Sequence, residues 1–244
     1  MRTSWKVADV VALRDETPTA RTLRLRIPGL HGHLAGQHID VKLTAPDGYS
    51  AQRSYSIASA LPGDELEITV DELVDGEVSP YLVRGVSVGD QLEIRGPVGG
   101  WFVWRADDPS PVQLIAGGSG VVPLMSMIRA HELAGATTDF RLLYSARSRE
   151  ALFYRDELAA LSASPHLRID YVYTRVAPEG WHSPAGRLDA ATLASLVHPI
   201  AADPGVFICG STPFVETVAD WLVADGYSPD RIKTERYGGV GERP

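Results

Sequence analysis

The tetrad Arg53-Ser54-Tyr55-Ser56 sets a guanidinium, a phenol and two hydroxyls on one short segment. A guanidinium pairs with phosphate, a phenol ring lies against a flat heterocycle, and a hydroxyl can meet a ring edge. Together these are the contacts that hold a flavin nucleotide. The flanking stretches, Asp40-Val41-Lys42-Leu43 and Glu65-Leu66-Glu67-Ile68-Thr69-Val70, alternate polar and apolar with a period of two, which predicts strands of an antiparallel sheet. On a strand Arg53 and Tyr55 share one face, and Ser54 and Ser56 the other. An ordinary exposed strand can carry the same four residues, so the weight of the tetrad depends on its company.

Three further stretches could do chemistry. Gly117-Gly118-Ser119-Gly120-Val121-Val122-Pro123 joins an apolar run to a helical pattern. Glycines there let a pyrophosphate approach the backbone at a helix N-terminus. It is not the G-x-G-x-x-G fingerprint, because Pro123 stands where the last glycine would be, and a simple tight turn is the alternative. Ser145-Ala146-Arg147-Ser148-Arg149 follows a second apolar run without an acid to bind a ribose 2'-hydroxyl. Arginine and hydroxyl donors suit a 2'-phosphate instead, so NADPH is favoured over NADH. The alternative is that Arg147 and Arg149 pair with Glu150 or Asp156. Cys209 precedes Gly210 at the end of a third apolar run. No partner for nucleophilic catalysis accompanies it, so lining a pocket is its expected role.

These stretches need elements to position them. Residues 5–13, 22–27, 38–44, 52–57, 65–70 and 91–95 read as six short strands, enough for a small antiparallel barrel. Gly76-Glu77-Val78-Ser79-Pro80 introduces a short helix over 80–85, with Ser79 as N-cap and Pro80 in the first position, and such a start is an anion site. Ala106-Asp107-Asp108-Pro109-Ser110-Pro111 is a linker pattern. Beyond it, strands at 112–116, 140–144, 167–174, 206–209 and 232–235 alternate with helices at 122–133, 150–161 and 213–224, which predicts a parallel sheet covered on both faces. The expected domains are 1–105, a linker at 106–111, and 112–244. Ligands in such a sheet bind beyond the carboxyl ends of its strands, where Gly117–Gly120, Ser145–Arg147 and Cys209–Ser211 would converge.

Composition narrows the function. The 244 residues carry 23 Lys and Arg against 31 Asp and Glu, a net charge of −8, which argues against nucleic acid and anionic membrane surfaces. Cys209 is the single cysteine, so a disulfide framework is excluded, as is an iron–sulfur cluster needing about four thiolates. No metal-binding spacing is present among the histidines, and His31 and His33 read as solvated. The first residues lack the apolar run of a signal peptide, and no stretch approaches a membrane span, so a cytoplasmic location is expected.

Taken in order, Arg53-x-Tyr55-Ser56, Gly76-x-x-Ser79, Gly96-Pro97-x-Gly99-x-x-Phe102, the run Gly117 to Leu124, and Cys209-Gly210 resemble the ferredoxin–NADP+ reductase family across nearly the whole chain. The resemblance implies a flavin-binding antiparallel β-barrel followed by a Rossmann-like α/β domain, with FAD and NADPH, or NADH, as cofactors. By similarity Arg53 contacts the flavin phosphate, Tyr55 packs on the isoalloxazine, and Ser56 reaches its N5 edge. The turn Gly76, Glu77, Val78 and Ser79 cradles the pyrophosphate, favouring FAD over FMN, and Ser54, Ile57 and Val70 complete the flavin site. Gly118, Ser119 and Gly120 meet the pyridine nucleotide phosphates, Ser145 and Arg147 its 2'-phosphate, and Cys209 with Gly210 the nicotinamide. Thr234-Glu235-Arg236-Tyr237-Gly238 departs from the plant-type terminal aromatic and resembles members whose tail runs on into an iron–sulfur domain. Ser56, Cys209 and Glu235 are the expected catalytic positions, with Tyr237 also at the cofactor.

The implied activity is hydride transfer from the nicotinamide to flavin N5, then electron transfer to a ferredoxin or another iron–sulfur protein. Arg84, Arg95 and Arg105 could form a basic docking patch for such an acidic partner. Alternatives are direct reduction of flavin or another small acceptor, and a non-catalytic electron-transfer subunit of a larger complex.

Overall fold

A computed structural model describes residues 4–60 and 62–237. The chain divides into two compact units, Met1–Ala106 with Met125–Gly135, and Asp107–Leu124 with Ala136–Pro244.

In the first unit, β1 (Lys6–Thr17), β2 (Ala20–Arg26), β3 (His38–Thr44), β4 (Ser50–Ser56), β5 (Glu65–Asp71) and β6 (Gln91–Val98) form an antiparallel sheet of order β4-β3-β6-β1-β2-β5. A bridge between Ile57 and Ile68 joins its two ends and closes the barrel. The expected alternation is what fills it. Leu23 and Leu25 from β2, Ile39 and Val41 from β3, Leu66, Ile68 and Val70 from β5, and Leu92 and Ile94 from β6 all point inward. Each such side chain contributes about 1.5–3 kcal/mol on full burial.

β5 is buried on its outer face as well, where Glu67 and Thr69 are only 5% exposed. Arg24 grips Glu67 with two bonds of 3.0 and 2.8 Å, and the Thr22 and Thr69 hydroxyls lie 2.7 Å apart. Residues 125–135 belong to this unit and cover that face: the Ser126 hydroxyl donates to the Ser59 carbonyl at 2.6 Å, and Arg129 to the Ala58 carbonyl at 2.9 Å. These bonds satisfy the backbone just after β4, which would otherwise be buried without partners. His33 is half-buried beside Ser59 rather than solvated, and burial lowers its pKa.

The helix expected over 80–85 is a π turn at Tyr81–Gly85, and Ser79 does not cap it. Ser79 instead accepts a 3.0 Å bond from the Leu73 N–H, because the loop folds back and buries it. The Ser79-capped helix start is therefore corrected to a folded-back loop leading into a π turn.

In the second unit, β7 (Val112–Gly117), β8 (Phe140–Ala146), β9 (Leu167–Tyr173), β10 (Gly205–Ser211) and β11 (Ile232–Tyr237) form a parallel sheet of order β11-β10-β7-β8-β9. Order reverses between β7 and β10, the switch point where such sheets open a crevice. The helices of this unit are α2 (Arg155–Leu161), α3 (Ala190–Leu196) and α4 (Thr212–Asp225), together with the first turn of α1 (Val121–Ala134), whose residues from Met125 on belong to the first unit. α4 packs on β10 and β11 through Val215, Val218 and Leu222. The helix expected from residue 150 starts only at Arg155. Leu152, Phe153 and Tyr154 are buried first, Tyr154 is left-handed at φ 55°, and the Tyr144 hydroxyl takes the Phe153 N–H.

At the amino end of the sheet, the fully buried Gln113 donates to the Leu114 and Arg141 carbonyls and accepts the His198 N–H at 2.9 Å. Tyr227 donates to the His198 carbonyl, and His198 Nδ1 lies 3.8 Å from Asp139. Burial and the neighbouring Arg141 lower the His198 pKa. No helix among the described residues is long and apolar enough to cross a membrane.

Candidate functional site

In the barrel, β4 lies at the end of the sheet order and pairs with β3 so that Tyr55 faces Ile39, Ser54 faces Asp40, and Arg53 faces Val41. Arg53 and Tyr55 therefore share one face. Tyr55 is half-buried against the core, and burial raises its phenol pKa, so it stays a neutral ring with its hydroxyl intact. Arg53 is exposed and donates to the Glu77 carboxylate at 2.7 Å and to the Gln52 carbonyl at 2.7 Å. Glu77 also accepts the Tyr49 hydroxyl, which together with Arg53 holds its carboxyl below the usual range.

On the other face, Ser54 donates to Asp40 at 2.6 Å, and Asp40 takes two bonds from Arg95 at 3.0 and 2.6 Å. Ser54 is thus committed to the barrel wall. Ser56 is half-buried opposite His38. Ile57, Val70 and Val78 are fully buried, so their side chains fill the core and only their backbone can meet a ligand. In the loop after β5, the Gly76 N–H donates to the Leu73 carbonyl at 2.8 Å, and a Cβ on Gly76 would sit 2.8 Å from Ser79 Oγ. The donor set fits a phosphorylated flat ligand: a guanidinium that already holds an oxyanion in the Glu77 carboxylate, a neutral ring beside it, and a tight turn close by.

In the second unit the three expected strand ends lie on one edge of the sheet. Gly117 pairs with Ser145, Cys209 with Ala116 and Glu235, and Gly210 with Arg236. Residues 118–120 make one 3-10 turn before α1, with Gly118 left-handed at φ 57° and no acid in the first turn of α1. Gly120 is forced to be glycine: a Cβ would lie 2.1 Å from the Cys209 carbonyl oxygen. This close approach sets the turn directly against the end of β10. Cys209 is 3% exposed, and burial first, then Glu235, pushes its thiol pKa well above the usual value. A protonated, buried thiol is a wall rather than a nucleophile.

Tyr237 donates its hydroxyl to the Gly117 carbonyl, fixing the glycine turn from the side of β11. The residues from Gly238 on, and with them the end of the tail motif, lie outside the described residues. Ser145 is buried at its strand end, whereas Arg147 is exposed. Arg147 forms no ion pair among the described residues, and Asp156 is taken by Arg155 at 3.1 Å. An exposed, uncommitted guanidinium beside a glycine turn at a parallel-sheet edge fits an additional phosphate.

Residues 8–103 match the family described as "Oxidoreductase FAD-binding domain", and residues 114–220 match "Oxidoreductase NAD-binding domain". The chain is 34% identical over 240 residues to ferredoxin–NADP reductase B of Sorangium cellulosum, covering 94% of this chain and 96% of that protein. The chain belongs to the ferredoxin–NADP reductase family. It is also 34% identical over 209 residues to the glycine betaine monooxygenase reductase subunit of Chromohalobacter salexigens, spanning 83% of this chain but only 55% of that protein. Among solved structures, the flavohem-like FAD/NAD-binding domain of nitric oxide dioxygenase from Vibrio cholerae O1 biovar El Tor superimposes with a TM-score of 0.84. That pair is 26% identical, over 96% of this chain and 99% of that one. The family assignment carries FAD- and NAD-binding domains with it.

Three features of these sites escaped sequence reasoning. Phe214, in the first turn of α4, lies across two strand ends, since a Cβ on Gly117 or Gly210 would fall 2.8 or 2.7 Å from its ring. The signal was available in the pair of glycines closing two adjacent strands. Tyr49 completes the Glu77–Arg53 group from a hairpin tip, which no local pattern announces. Arg84 and Arg95, expected in a basic docking patch, are each bound to a carboxylate, Glu72 at 2.6 Å and Asp40 at 2.6 Å. Their charge is locally neutralised, while Arg105 is exposed and forms no ion pair among the described residues.

Proposed function

We propose that the chain is an FAD-dependent NAD(P)H oxidoreductase that passes electrons to a separate iron–sulfur protein of the ferredoxin kind. The observation that carries this reading is the Gly118–Gly120 turn seated 2.1 Å, by its absent Cβ, from the Cys209 carbonyl at the sheet's switch point. Such a turn offers backbone N–H groups to a dinucleotide and leaves no room for a side chain. Bound FAD would supply acceptance of a hydride and release of electrons singly. Arg53 would hold its phosphate, Tyr55 would back the ring, and Ser56 would offer a hydroxyl at the ring edge. Cys209 and Gly210 would wall the nicotinamide and exclude water, with Glu235 beside Cys209 keeping the thiol protonated.

NADPH is the favoured donor, supported by exposed Arg147 and by the lack of an acid from Ser145 to Arg149. An acceptor outside these two domains is supported by their single cysteine, which cannot bind a cluster, and by the name of the Sorangium relative. The test is NADPH-dependent reduction of an acidic ferredoxin beside that of a neutral dye, over rising ionic strength. Docking through local basic groups predicts that salt slows the ferredoxin reaction while the dye reaction holds. Equal responses would remove the electrostatic docking.

A further inference from the structure

β9 ends the order of its sheet, and among the described residues no strand pairs with its outer side. The bonds to β8 show which backbone groups face outward. The Thr174 N–H donates to the Ala146 carbonyl at 2.8 Å, and the His166 carbonyl accepts the Phe140 N–H at 2.9 Å, so the even-numbered residues turn to β8. Backbone groups alternate sides along a strand, which leaves those of Leu167, Ile169 and Tyr171 aimed outward. At Tyr173 this side is closed, since the carbonyl there takes the Gly186 N–H at 3.0 Å.

Open edges are commonly blunted by a bulge, a proline or a lysine. β9 reads Leu167-Arg168-Ile169-Asp170-Tyr171-Val172-Tyr173 and has none of these, and its register with β8 runs unshifted along its whole length. Its charges are Arg168 and Asp170, two residues apart on one face and joined to each other at 2.8 Å. Ile169, Tyr171 and Val172 are each half-buried. At the opposite edge, charges of β11 are engaged with β10: Lys233 lies 5.0 Å over the Phe207 ring, and Glu235 is paired with Cys209.

We propose that β9 pairs with β9 of a second copy of this chain, antiparallel and centred on Ile169. In that register Ile169 faces Ile169 of the copy and Leu167 faces Tyr171, so the residues with outward backbone groups become the hydrogen-bonded pairs. Arg168 then falls opposite Asp170 in the intervening pairs, where side chains approach most closely and opposite charges stabilise. Shifting the centre by one residue either way sets Arg168 against Arg168 or Asp170 against Asp170. Charge thus selects one register, and the same two charges discourage strands that lack the match.

Sedimentation equilibrium of the flavin-loaded protein over roughly 1–300 µM tests this. A paired stretch this short makes a weak dimer, so the wild type should pass from monomer towards dimer within that range, and less so as ionic strength rises. Arg168→Asp and Asp170→Arg should each weaken association by at least about tenfold, because each sets like charges opposite one another on both sides of the axis. Mixed in equal amounts, the two variants should associate again, since one carries only carboxylates at these positions and the other only guanidiniums. The double variant Arg168→Asp/Asp170→Arg should dimerise like the wild type. A wild type that stays monomeric throughout, or a dimer insensitive to salt, would overturn the pairing without any substitution. Single variants with wild-type association would do the same, as would a mixture of variants, each folded by circular dichroism, that fails to associate.

Discussion

Gly120→Ala tests whether the glycine turn is set by contact with β10. Its φ is outside the left-handed region, so the substitution adds no backbone strain, only a methyl group. That methyl carbon would lie 2.1 Å from the Cys209 carbonyl oxygen, 2.4 Å from its carbon and 2.8 Å from the Gly210 nitrogen. Carbon–oxygen contacts settle near 3.3 Å, so the overlap is roughly 1.2 Å. All three obstructing atoms are backbone of β10, which is held on both sides by β7 and β11. Nothing there can swing away, so the cost falls at the upper end of overpacking, about 3 kcal/mol. For a chain of this size that lowers the unfolding midpoint by roughly 6–12 °C. Gly186→Ala is the internal control, since nothing lies within 4 Å of its Cβ. Thermal unfolding followed by circular dichroism reads both variants, and NADPH Michaelis constants read the turn. A Gly120→Ala protein melting within about 1 °C of wild type, with an unchanged Michaelis constant, would refute the contact and its role in nucleotide binding.

Other substitutions separate the remaining parts. Arg53→Ala should weaken flavin retention by about 1.5–3 kcal/mol, the worth of a charge-assisted bond. Exhaustive dialysis with absorbance reads this, and a mutant that keeps its full flavin would end the phosphate role. Arg147→Ala should raise the Michaelis constant for NADPH and leave that for NADH unchanged in steady-state assays; equal effects would mean that Arg147 does not meet the 2'-phosphate. His198 has a folded pKa below the ordinary histidine value, from burial and Arg141. The unfolded chain therefore binds its proton first, and stability is lost as pH falls below about 6.5. His198→Gln should flatten that slope in denaturant titrations across the same window, and an unaltered slope would assign it to His33 or His38, whose pKa values burial also lowers.

The barrel was legible because its strands obey a strict two-residue period, and all six expected strands formed with ends shifted by a few residues. The parallel sheet was equally legible, since its strands are short apolar runs between helices. What escaped depends on tertiary burial. Leu152-Phe153-Tyr154 carries helical propensity, yet packing of those three side chains delays α2 to Arg155. α3 is a run of small residues with only Leu193 buried, announced by nothing but the Asp189 cap on the Thr192 N–H. Ser79 had the sequence of a cap and found a different donor, because the loop containing Leu73 folded over it. At the site, residue types were readable and partners were not. Ser54, Arg84 and Arg95 carry the right groups for ligands or docking, but each already faces a side chain distant in sequence.

The central claim is that one chain holds a flavin and draws electrons from a pyridine nucleotide. The absorption spectrum of the purified protein under anaerobic titration with NADPH, and separately with NADH, measures this directly. The account predicts a yellow protein whose flavin band bleaches with about one equivalent of NADPH, at a lower concentration than with NADH. A colourless protein that takes up no FAD, or a yellow one that neither nucleotide bleaches, would contradict it.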